Sequence, residues 1–583
     1  MVSVLLAVGA LAAALLAVPE LFGDFTAYQV GLFLIYGIAA QGIGFVWGRA
    51  GVLPLGQALF FGVGAYVAAG LLRAEAPVPV QVGVLLATVA ALALAAYALA
   101  ALVFRGRSDS GPYFSLMTLA LVLAVEQWAG TATALTGGFN GLAGFDAVGG
   151  LDPFSELYYL IAGVSVFVTA LFLWLERLPL AVLVRAVADN EPRLQLLGVA
   201  THRVKGLAFG VSAAVAMIAG MLFASHQGIV TPTATGFALS AEFVIFAAIG
   251  GRFHVLGPVL GAVVVGVATT ELRDRIAVTE MAMAVLFILV VIRAPGGLAE
   301  GVAWLSRRWA WVSSSVPDVP DPVQPPPRRG DPCPAALQLA SVDVEVGSVR
   351  ILDGAAFETP ASGVVCLIGP NGAGKTSVLN TVTGLLSLAQ GTIHLGAERV
   401  DSQPPYAALA HGIGRKLQVP SVFDSLSVRA NCALGAMVGR VRWHDWLRTT
   451  PLRWQSPAQA AVLRHPDVPL SGVLDTPAGA LPQGHRQFLE LAVALAAEPR
   501  VVLLDEPCAG LSPAETAVMT QLIRDDQRAR NALVVVVEHD MSLVEAIADS
   551  VVVLHQGRTL AEGSYDTVRR LPAVQAVYAG ARK

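Results

Sequence analysis

The feature that most constrains the fold is a series of apolar runs in the first three hundred residues. A membrane-spanning helix needs about 20 apolar residues, because only a structure that satisfies its own backbone persists in hydrocarbon. Ten apolar runs, several of them shorter than this, predict an all-α polytopic membrane domain of about 10 transmembrane helices. Residues 3–18 also resemble a secretory signal, but without a basic start and with further spans following at once they are read as a first span. The predicted spans are 3–18, 25–47, 55–72, 80–104, 113–128, 157–175, 206–224, 237–250, 256–269 and 281–292.

The basic residues between these runs give the orientation. Residues 1–300 carry only thirteen Lys and Arg side chains. With ten spans and an internal N-terminus, ten of them fall inside, and only Arg73, Arg273 and Arg275 fall outside. This asymmetry agrees with the positive-inside rule, and it predicts that everything after the last span lies in the cytoplasm.

The internal loop between the sixth and seventh spans, residues 177–206, is amphipathic and carries mixed charge. A segment of this kind fits a groove on a cytoplasmic protein domain. It fits equally well as a solvated surface loop. The residues of the loop leave the two interpretations open.

Polar side chains within the spans are candidates for contact with a polar substrate or an ion. Burying them in hydrocarbon is costly, so such residues in a span commonly serve a function. Gln57, Glu126 and Glu242 are the candidates, with a structural hydrogen bond as the alternative role for each. Gly257 and Gly261, four residues apart, predict close helix packing.

After residue 336 the composition becomes that of a soluble α/β domain, and it contains a phosphate-binding loop. The loop fits G-x-x-x-x-G-K-[ST], between an apolar strand-like run and a helical stretch. Glycines let backbone N–H groups approach phosphate oxygens at a helix N-terminus. The lysine adds a cation for the β- and γ-phosphates, and the threonine hydroxyl is a Mg²⁺ ligand. The predicted nucleotide-binding residues are Gly369, Pro370, Asn371, Gly372, Ala373, Gly374, Lys375, Thr376 and Ser377.

Further along the chain come the other parts of a candidate nucleotide-hydrolysing site. The run VVLLDE ends in Asp505, a candidate Mg²⁺ contact, and Glu506, placed to polarise the attacking water. The run VVVVEHD brings His539 towards the γ-phosphate, and Gln418 is a candidate sensor of Mg²⁺ or water. Alone, Gln418 and His539 would be ordinary polar residues. Their order after the phosphate loop favours catalytic roles for Glu506, His539 and Gln418, with Thr376, Gln418 and Asp505 around the metal.

The two parts are joined by a proline-rich stretch, and this predicts three segments. Proline at this density excludes helix and sheet, so residues 306–336 are expected to form an extended tether. A transmembrane permease domain, 1–305, precedes the tether. An α/β P-loop ATP-binding domain, 337–583, follows it.

These motifs carry a resemblance to a known family. Residues 337–583 resemble the ATPases of ABC transporters, nearest to those of branched-chain amino acid and urea uptake systems, through LIGPNGAGKTSVLN and VVVVEHDM. The membrane part is similar to the permeases of the same systems, through GVLPLGQALFFGVGAY, PYFSLMTLAL and EFVIFAAIGGRFHVLGPVLGA. The resemblance identifies loop 177–206 as the coupling loop of such permeases. TGGFNGL leans towards the urea branch.

One motif departs from the family pattern. The signature, usually LSGGQ, reads Leu481, Pro482, Gln483, Gly484 and His485. In this family the signature meets the γ-phosphate bound by the partner ATPase. The proline removes one hydroxyl and one N–H from that contact.

The resemblance implies half of an importer of small polar solutes, namely branched-chain amino acids, urea or short amides. ATP and Mg²⁺ would be the cofactors. The expected partners are a second permease subunit, a second ABC ATPase subunit, an extracytoplasmic solute-binding protein and membrane lipid, in a bacterial plasma membrane. A net charge of −4 gives no electrostatic reason to expect nucleic acid as a partner. The alternative is a membrane-anchored ABC-type ATPase with a regulatory role, which the altered signature favours and intact Glu506 and His539 disfavour.

Overall fold

The computed structural model describes residues 2–105, 111–273, 285, 288–290, 292–293, 296–301, 322–326, 335–468 and 470–580. They divide into two compact units. The described residues up to Ala188 and from Thr201 to residue 301 form the first unit. The second unit contains residues 322 onward together with Asp189–Ala200, a short segment from the predicted coupling loop. Most of the predicted linker 306–336 lies outside the described residues.

The N-terminal part of the chain is helical. Its helices are α1 (Val2–Phe22), α2 (Asp24–Ala50), α3 (Gln57–Arg73), α4 (Val78–Val103), α5 (Gly111–Thr131), α6 (Thr133–Thr136), α7 (Glu156–Leu175), α8 (Pro179–Asp189), α9 (Glu191–Leu196), α10 (Thr201–Gln227), α11 (Phe237–Gly250) and α12 (Gly257–Arg273). The two-residue strands β1 (Leu142–Ala143) and β2 (Ile229–Val230) pair antiparallel.

These helices confirm an all-α apolar architecture for the first unit. Nine of the ten predicted spans coincide with described helices, and the tenth, 281–292, falls largely outside the described residues. Among the described helices, α2, α4, α5, α7 and α10 are long and apolar enough to cross a membrane. Four shorter apolar segments lie in α1, α3, α11 and α12. The total of ten spans stays a prediction.

Small residues allow the helices of the first unit to pack closely. A Cβ atom added to Gly220 of α10 would lie 1.8 Å from the carbonyl oxygen of Phe61 in α3. One added to Gly261 of α12 would lie 2.1 Å from the carbonyl oxygen of Phe246 in α11. Any larger residue at these positions would separate the helices, so the predicted packing role of Gly261 fits the structure.

The chain between α2 and α3, residues 51–56, is not helical, and hydroxyl groups satisfy part of its backbone. Thr118 of α5 accepts a hydrogen bond from the Leu55 N–H at 3.1 Å, and Ser115 donates to the Leu53 carbonyl at 2.5 Å. At the start of α3, the Ser240 hydroxyl accepts from the Ala58 N–H at 2.9 Å. Irregular backbone within an apolar bundle requires such partners, because water is not available to replace them.

Two β-sheets organise the second unit. Its strands are β3 (Leu337–Val346), β4 (Val349–Glu358), β5 (Gly363–Ile368), β6 (Gln390–Leu395), β7 (Glu398–Arg399), β8 (Ile413–Lys416), β9 (Val501–Asp505), β10 (Leu533–Val537), β11 (Ser550–His555) and β12 (Arg558–Gly563). The larger sheet has the order β12-β11-β5-β10-β9-β8, and the smaller antiparallel sheet has the order β4-β3-β6-β7. In the larger sheet only the β11–β12 pair is antiparallel. The two sheets share one apolar core.

Helices complete the second unit. They are α13 (Lys375–Val382), α14 (Pro405–Ala408), α15 (Val428–Met437), α16 (Pro457–Leu463), α17 (Gln483–Leu495), α18 (Pro513–Arg530), α19 (Met541–Ile547), α20 (Tyr565–Val568) and α21 (Pro572–Gly580). Helix α17 packs against both α15 and α16. Within this unit, Val323 of the predicted tether exchanges two main-chain hydrogen bonds with Arg453 and Gln455.

Candidate active site

Three neighbouring parallel strands bring the predicted catalytic residues together. Strand β10 lies between β5 and β9, and Val537 pairs with both Leu367 and Asp505. The strands are continuous apolar runs because both faces of a parallel sheet are covered. Polar groups therefore follow where the strands end, and the carboxyl ends of parallel strands meet at one edge. The phosphate loop, Glu506 and His539 all follow strands that end at this edge, which we call the catalytic edge.

The phosphate loop runs from β5 into α13, and two of its glycines are required by geometry. Gly369 has φ 152°, and a Cβ there would lie 2.2 Å from the Leu554 carbonyl oxygen. Gly374 has φ 98° at the N-cap of α13, and a Cβ there would lie 2.6 Å from the Leu352 side chain. The loop thus leaves the α13 N-terminus accessible to an anion.

Lys375 is folded back over this loop. Its Nζ donates to the carbonyl oxygens of Gly369 at 2.9 Å and Pro370 at 3.0 Å. Burial lowers the pKa of the Lys375 ammonium, although the carboxylates of Glu506 and Asp505 oppose the shift. These contacts place a cation at the concave side of the loop, where phosphate oxygens of a bound nucleotide would replace the carbonyl partners.

Asp505 and Thr376 are suited to hold Mg²⁺. The Thr376 hydroxyl donates to Asp505 Oδ1 at 3.3 Å, and Asp505 Oδ2 is buried without a hydrogen-bond partner. Arg415 lies 3.7 Å from Oδ2, which is close enough for an ion pair but too long for a hydrogen bond. Burial raises the pKa of Asp505, and Arg415 opposes the shift. The described residues contain no group of three or more His, Cys, Asp or Glu side chains arranged to hold a metal ion. A nucleotide-bound Mg²⁺ does not need one, because phosphate oxygens and water fill most of its coordination sphere.

Glu506 and His539 face each other across the end of the sheet. His539 Nδ1 lies 3.8 Å from Glu506 Oε1, and the His539 side chain is largely exposed. Glu506 adopts a left-handed conformation with φ 43°, while its N–H donates to the Val537 carbonyl at 2.9 Å. An unusual φ at a non-glycine residue is common at functional sites. Gln418 is exposed and lines the same cavity of about 290 Å³ as Lys375, Thr376 and Glu506.

The altered signature begins α17. Pro482 is the N-cap residue, with φ −56° and ψ 155°, and no side chain caps this helix. Arg486 holds the preceding turn by donating to the Leu481 carbonyl at 3.1 Å and to the Gly479 carbonyl. Pro482 and Gln483 are exposed, Leu481 is buried, and Gly484 and His485 are half-buried. The backbone N–H groups of the first turn therefore remain available, but without the capping hydroxyl of a serine.

The three polar residues proposed for the solute have different surroundings in the first unit. Gln57 is fully buried and donates to Ser212 at 2.8 Å (carbonyl) and 2.9 Å (hydroxyl). Glu126 is half-buried, and a Cβ on Gly236 would lie 2.7 Å from its Oε1, so its carboxylate lies beside the start of α11. Glu242 is exposed on α11. Gln57 already has a structural hydrogen bond, and Glu126 lies where a helix dipole stabilises a carboxylate.

Sequence reasoning missed a set of buried charges behind the catalytic edge. Arg415, Lys416 and Glu490 are all 3% exposed or less, as is Arg193 in α9. In the sequence, the first two look like surface cations beside Gln418. Glu490 looks like the polar face of an amphipathic helix. Arg415 and Lys416 are buried because β8 pairs in parallel with the apolar strand β9, and the sequence of β8 alone does not show this pairing.

The middle of the predicted coupling loop packs as part of the second unit. Asn190 donates to the Ser421 hydroxyl at 2.9 Å, and the Asp189 carboxylate accepts from the Ser425 N–H at 2.8 Å. Arg193 is fully buried. Of the two interpretations left open by the sequence, these contacts favour a docked segment over a solvated loop.

Two family profiles match the chain in succession. Residues 25–294 match the family described as branched-chain amino acid transport system, permease component. Residues 352–509 match the family described as ABC transporter.

Individual relatives match the second part. The high-affinity branched-chain amino acid transport ATP-binding protein BraF of Pseudomonas aeruginosa is 32% identical over 255 residues, which are 42% of this chain and 97% of that protein. LivG of Escherichia coli, described in the same words, is 30% identical over the same shares. The lipopolysaccharide export system ATP-binding protein LptB of Acidithiobacillus ferridurans is 34% identical over 37% of this chain and 85% of that protein. Likeness in this part alone therefore does not specify a solute or a direction of transport.

Proposed function

Because this chain belongs to the branched-chain amino acid family of ABC transporters, with permease and ATPase parts in one polypeptide, we propose that it is one half of an importer of small polar solutes. The ATPase part couples ATP hydrolysis to transport. The single observation that supports the proposal best is the gathering of the phosphate loop, Asp505, Glu506 and His539 at one sheet edge in a chain that also matches the permease family. We place the domain boundaries near residues 305 and 337.

Each residue of the site has a proposed role in ATP hydrolysis. Lys375 contacts the β- and γ-phosphates, while the N–H groups of the phosphate loop surround them. Thr376 and Asp505, with Gln418 at the rim, hold Mg²⁺, which neutralises charge on the phosphates when bound. Glu506 orients and polarises the attacking water. His539, 3.8 Å from Glu506, contacts the γ-phosphate and senses its departure.

The chain requires partners to complete this function. The family relationship implies further permease and ATPase subunits, and we propose one second permease, one second ATPase and an extracytoplasmic solute-binding protein. The two ATPases would form a head-to-tail dimer in a bacterial plasma membrane. Closure of that dimer would switch the permeases between outward and inward access. Gln57, Glu126 and Glu242 remain the proposed solute contacts, and the exposed position of Glu242 is compatible with a pathway shared with the second permease.

Uptake by proteoliposomes that contain the full complex identifies the solute. The relatives BraF and LivG are named for branched-chain amino acids, so we expect ATP-dependent accumulation of leucine. Urea and acetamide, assayed in the same vesicles, represent the other two solute classes. ATP hydrolysis without accumulation of any of the three would support the regulatory role instead.

Charge reversal on the coupling loop is expected to separate transport from hydrolysis. Glu191 lies on α9, and Arg185 on α8 forms an ion pair with Glu176 at 3.7 Å. Neither residue belongs to the phosphate loop or to strands β5, β9 and β10. We therefore expect Glu191→Arg or Arg185→Glu to lower solute uptake severalfold, while basal ATPase activity stays within about twofold of wild type. Parallel loss of both activities in a correctly folded variant would indicate simple destabilisation.

A further inference from the structure

A single guanidinium from α9 reaches the interior of the second unit. Arg193 Nη1 donates to the Arg415 carbonyl at 2.5 Å, and it lies 3.7 Å from Glu490 Oε1. Asn190 accepts from the Arg193 N–H at 3.1 Å and so orients this turn of the helix. A buried cation with these partners is held in one position by the residues that surround it.

The partners of Arg193 are connected to the catalytic edge by two routes. Glu490 of α17 also pairs with Lys416 at 3.6 Å and accepts from the Leu417 N–H at 2.9 Å, directly before Gln418. Arg415 of β8 pairs with Asp505 at 3.7 Å and donates to Thr383 at 2.9 Å. One route leads to the helix that begins at the signature. The other ends on the carboxylate proposed to bind Mg²⁺.

The charges in this cluster do not balance. Arg193, Arg415 and Lys416 are cations, Glu490 and Asp505 are carboxylates, and all five are 3% exposed or less. Without Arg193 the remaining two cations and two carboxylates would cancel. With Arg193 in place, Glu490 neutralises part of the charge of Arg193 and is less available to Arg415. The charge of Arg415 is then neutralised mainly by Asp505.

We propose that Arg193 is a positioning residue for the ATP site: its charge keeps Arg415 on Asp505 and thereby lowers the affinity of the site for a divalent cation. Arg415 and the metal compete for the same buried carboxylate, and an excess cation in a poorly solvated region disfavours a second one. Withdrawal of α9 frees Glu490 for Arg415 and releases Asp505 to the metal. The inference rests on the proposed role of Asp505 and Thr376 as metal ligands.

A cavity of about 390 Å³ lies beside the route from Arg193 through Arg415 to Asp505. It is lined by Asn190 from the α9 turn, and by Gln418, Arg415, Thr376 and Asp505 from the catalytic edge. The α9 turn and the proposed metal ligands therefore border the same space. Movement of α9 would change both the charge near Asp505, by removing Arg193, and the access of solvent to Asp505.

Direct titration of Mn²⁺, followed by its electron paramagnetic resonance signal, tests the inference without relying on turnover. The full complex is titrated with a non-hydrolysable ATP analogue present. We expect Arg193→Gln to bind Mn²⁺ about threefold more tightly than wild type or better, and Glu490→Gln to bind it more weakly. The double variant is expected to return to within about twofold of wild type, because it restores the original charge difference. Arg193→Lys, which keeps the charge, should resemble wild type.

Arg203→Gln is the matched control, because Arg203 is an exposed cation at the start of α10. It should leave the Mn²⁺ affinity unchanged. Equal Mn²⁺ affinity in wild type and Arg193→Gln, or equal tightening in Arg203→Gln, would overturn the inference. Asp505→Asn tests the proposed metal site independently of Arg193. If it leaves Mn²⁺ affinity unchanged, the proposed metal site itself is wrong; if it weakens binding while Arg193→Gln has no effect, only the role of Arg193 is wrong.

Discussion

Replacement of Glu506 by glutamine is expected to leave ATP binding intact and to lower turnover at this site by at least about a hundredfold. Glutamine has the same shape but does not accept a proton from the attacking water, and general base catalysis contributes about 10²–10⁴-fold. Binding should survive because Lys375, Thr376 and the phosphate loop are unchanged. Glutamine also fits the left-handed backbone at this position as well as glutamate does.

The measurement is steady-state ATPase activity of the purified complex, together with binding of a fluorescent ATP analogue. The ATP site of the partner subunit is silenced by the equivalent substitution, so that only the site of this chain contributes. Glu562→Gln is the matched control, because Glu562 is exposed on β12, two strands from β5 in the sheet, and does not line the cavity at the phosphate loop. Near-wild-type turnover in Glu506→Gln would exclude Glu506 as the catalytic base.

Restoration of serine at position 482 is expected to reveal how the chain pairs. Pro482 caps α17 without a side-chain hydrogen bond. Compared with serine it lacks one hydroxyl and one N–H, and we propose that a signature uses these two groups to contact a γ-phosphate. Loss of such hydrogen bonds to a charged group costs about 1.5–3 kcal/mol, or about one to two decades of rate. In a heterodimer whose partner has an intact signature, the fast site is the one formed by the phosphate loop of this chain and the signature of the partner. Pro482→Ser changes only the other, slower site and should therefore give a small gain in ATPase activity.

If two copies of this chain pair with each other, both sites contain the defect, and Pro482→Ser should raise ATPase activity by about tenfold or more. Pro477→Ser, five residues earlier, controls for a general effect of proline removal. A small gain and a tenfold gain would both mean that the proline lowers ATPase activity. A loss of activity in Pro482→Ser would instead mean that the proline is required for function.

The sequence predicts the catalytic edge well because its residues obey local spacing rules. The phosphate loop and VVLLDE each combine a buried strand with the polar residues that follow it, and parallel pairing then brings Lys375, Asp505 and Glu506 together. The positions of the apolar helices could also be predicted, because hydropathy depends only on the local sequence. Nine of the predicted runs are helices in the described part of the chain.

The buried charges could not be predicted in this way. Arg193 and Glu490 are separated by almost three hundred residues, and neither lies in a motif. Their burial depends on a pairing that no local pattern encodes. Glu242 illustrates the same limit within the apolar part, because periodicity places it in a helix but does not decide that the side chain is exposed.

The most direct test of the central claim is whether solute uptake depends on hydrolysis at the ATP site of this chain. Proteoliposomes containing the full complex are assayed for leucine uptake with wild type, Glu506→Gln and the control Glu562→Gln. We expect ATP-dependent accumulation for wild type and Glu562→Gln, and accumulation reduced to background for Glu506→Gln, with ATP still bound. Accumulation by Glu506→Gln at the wild-type rate would contradict the central claim.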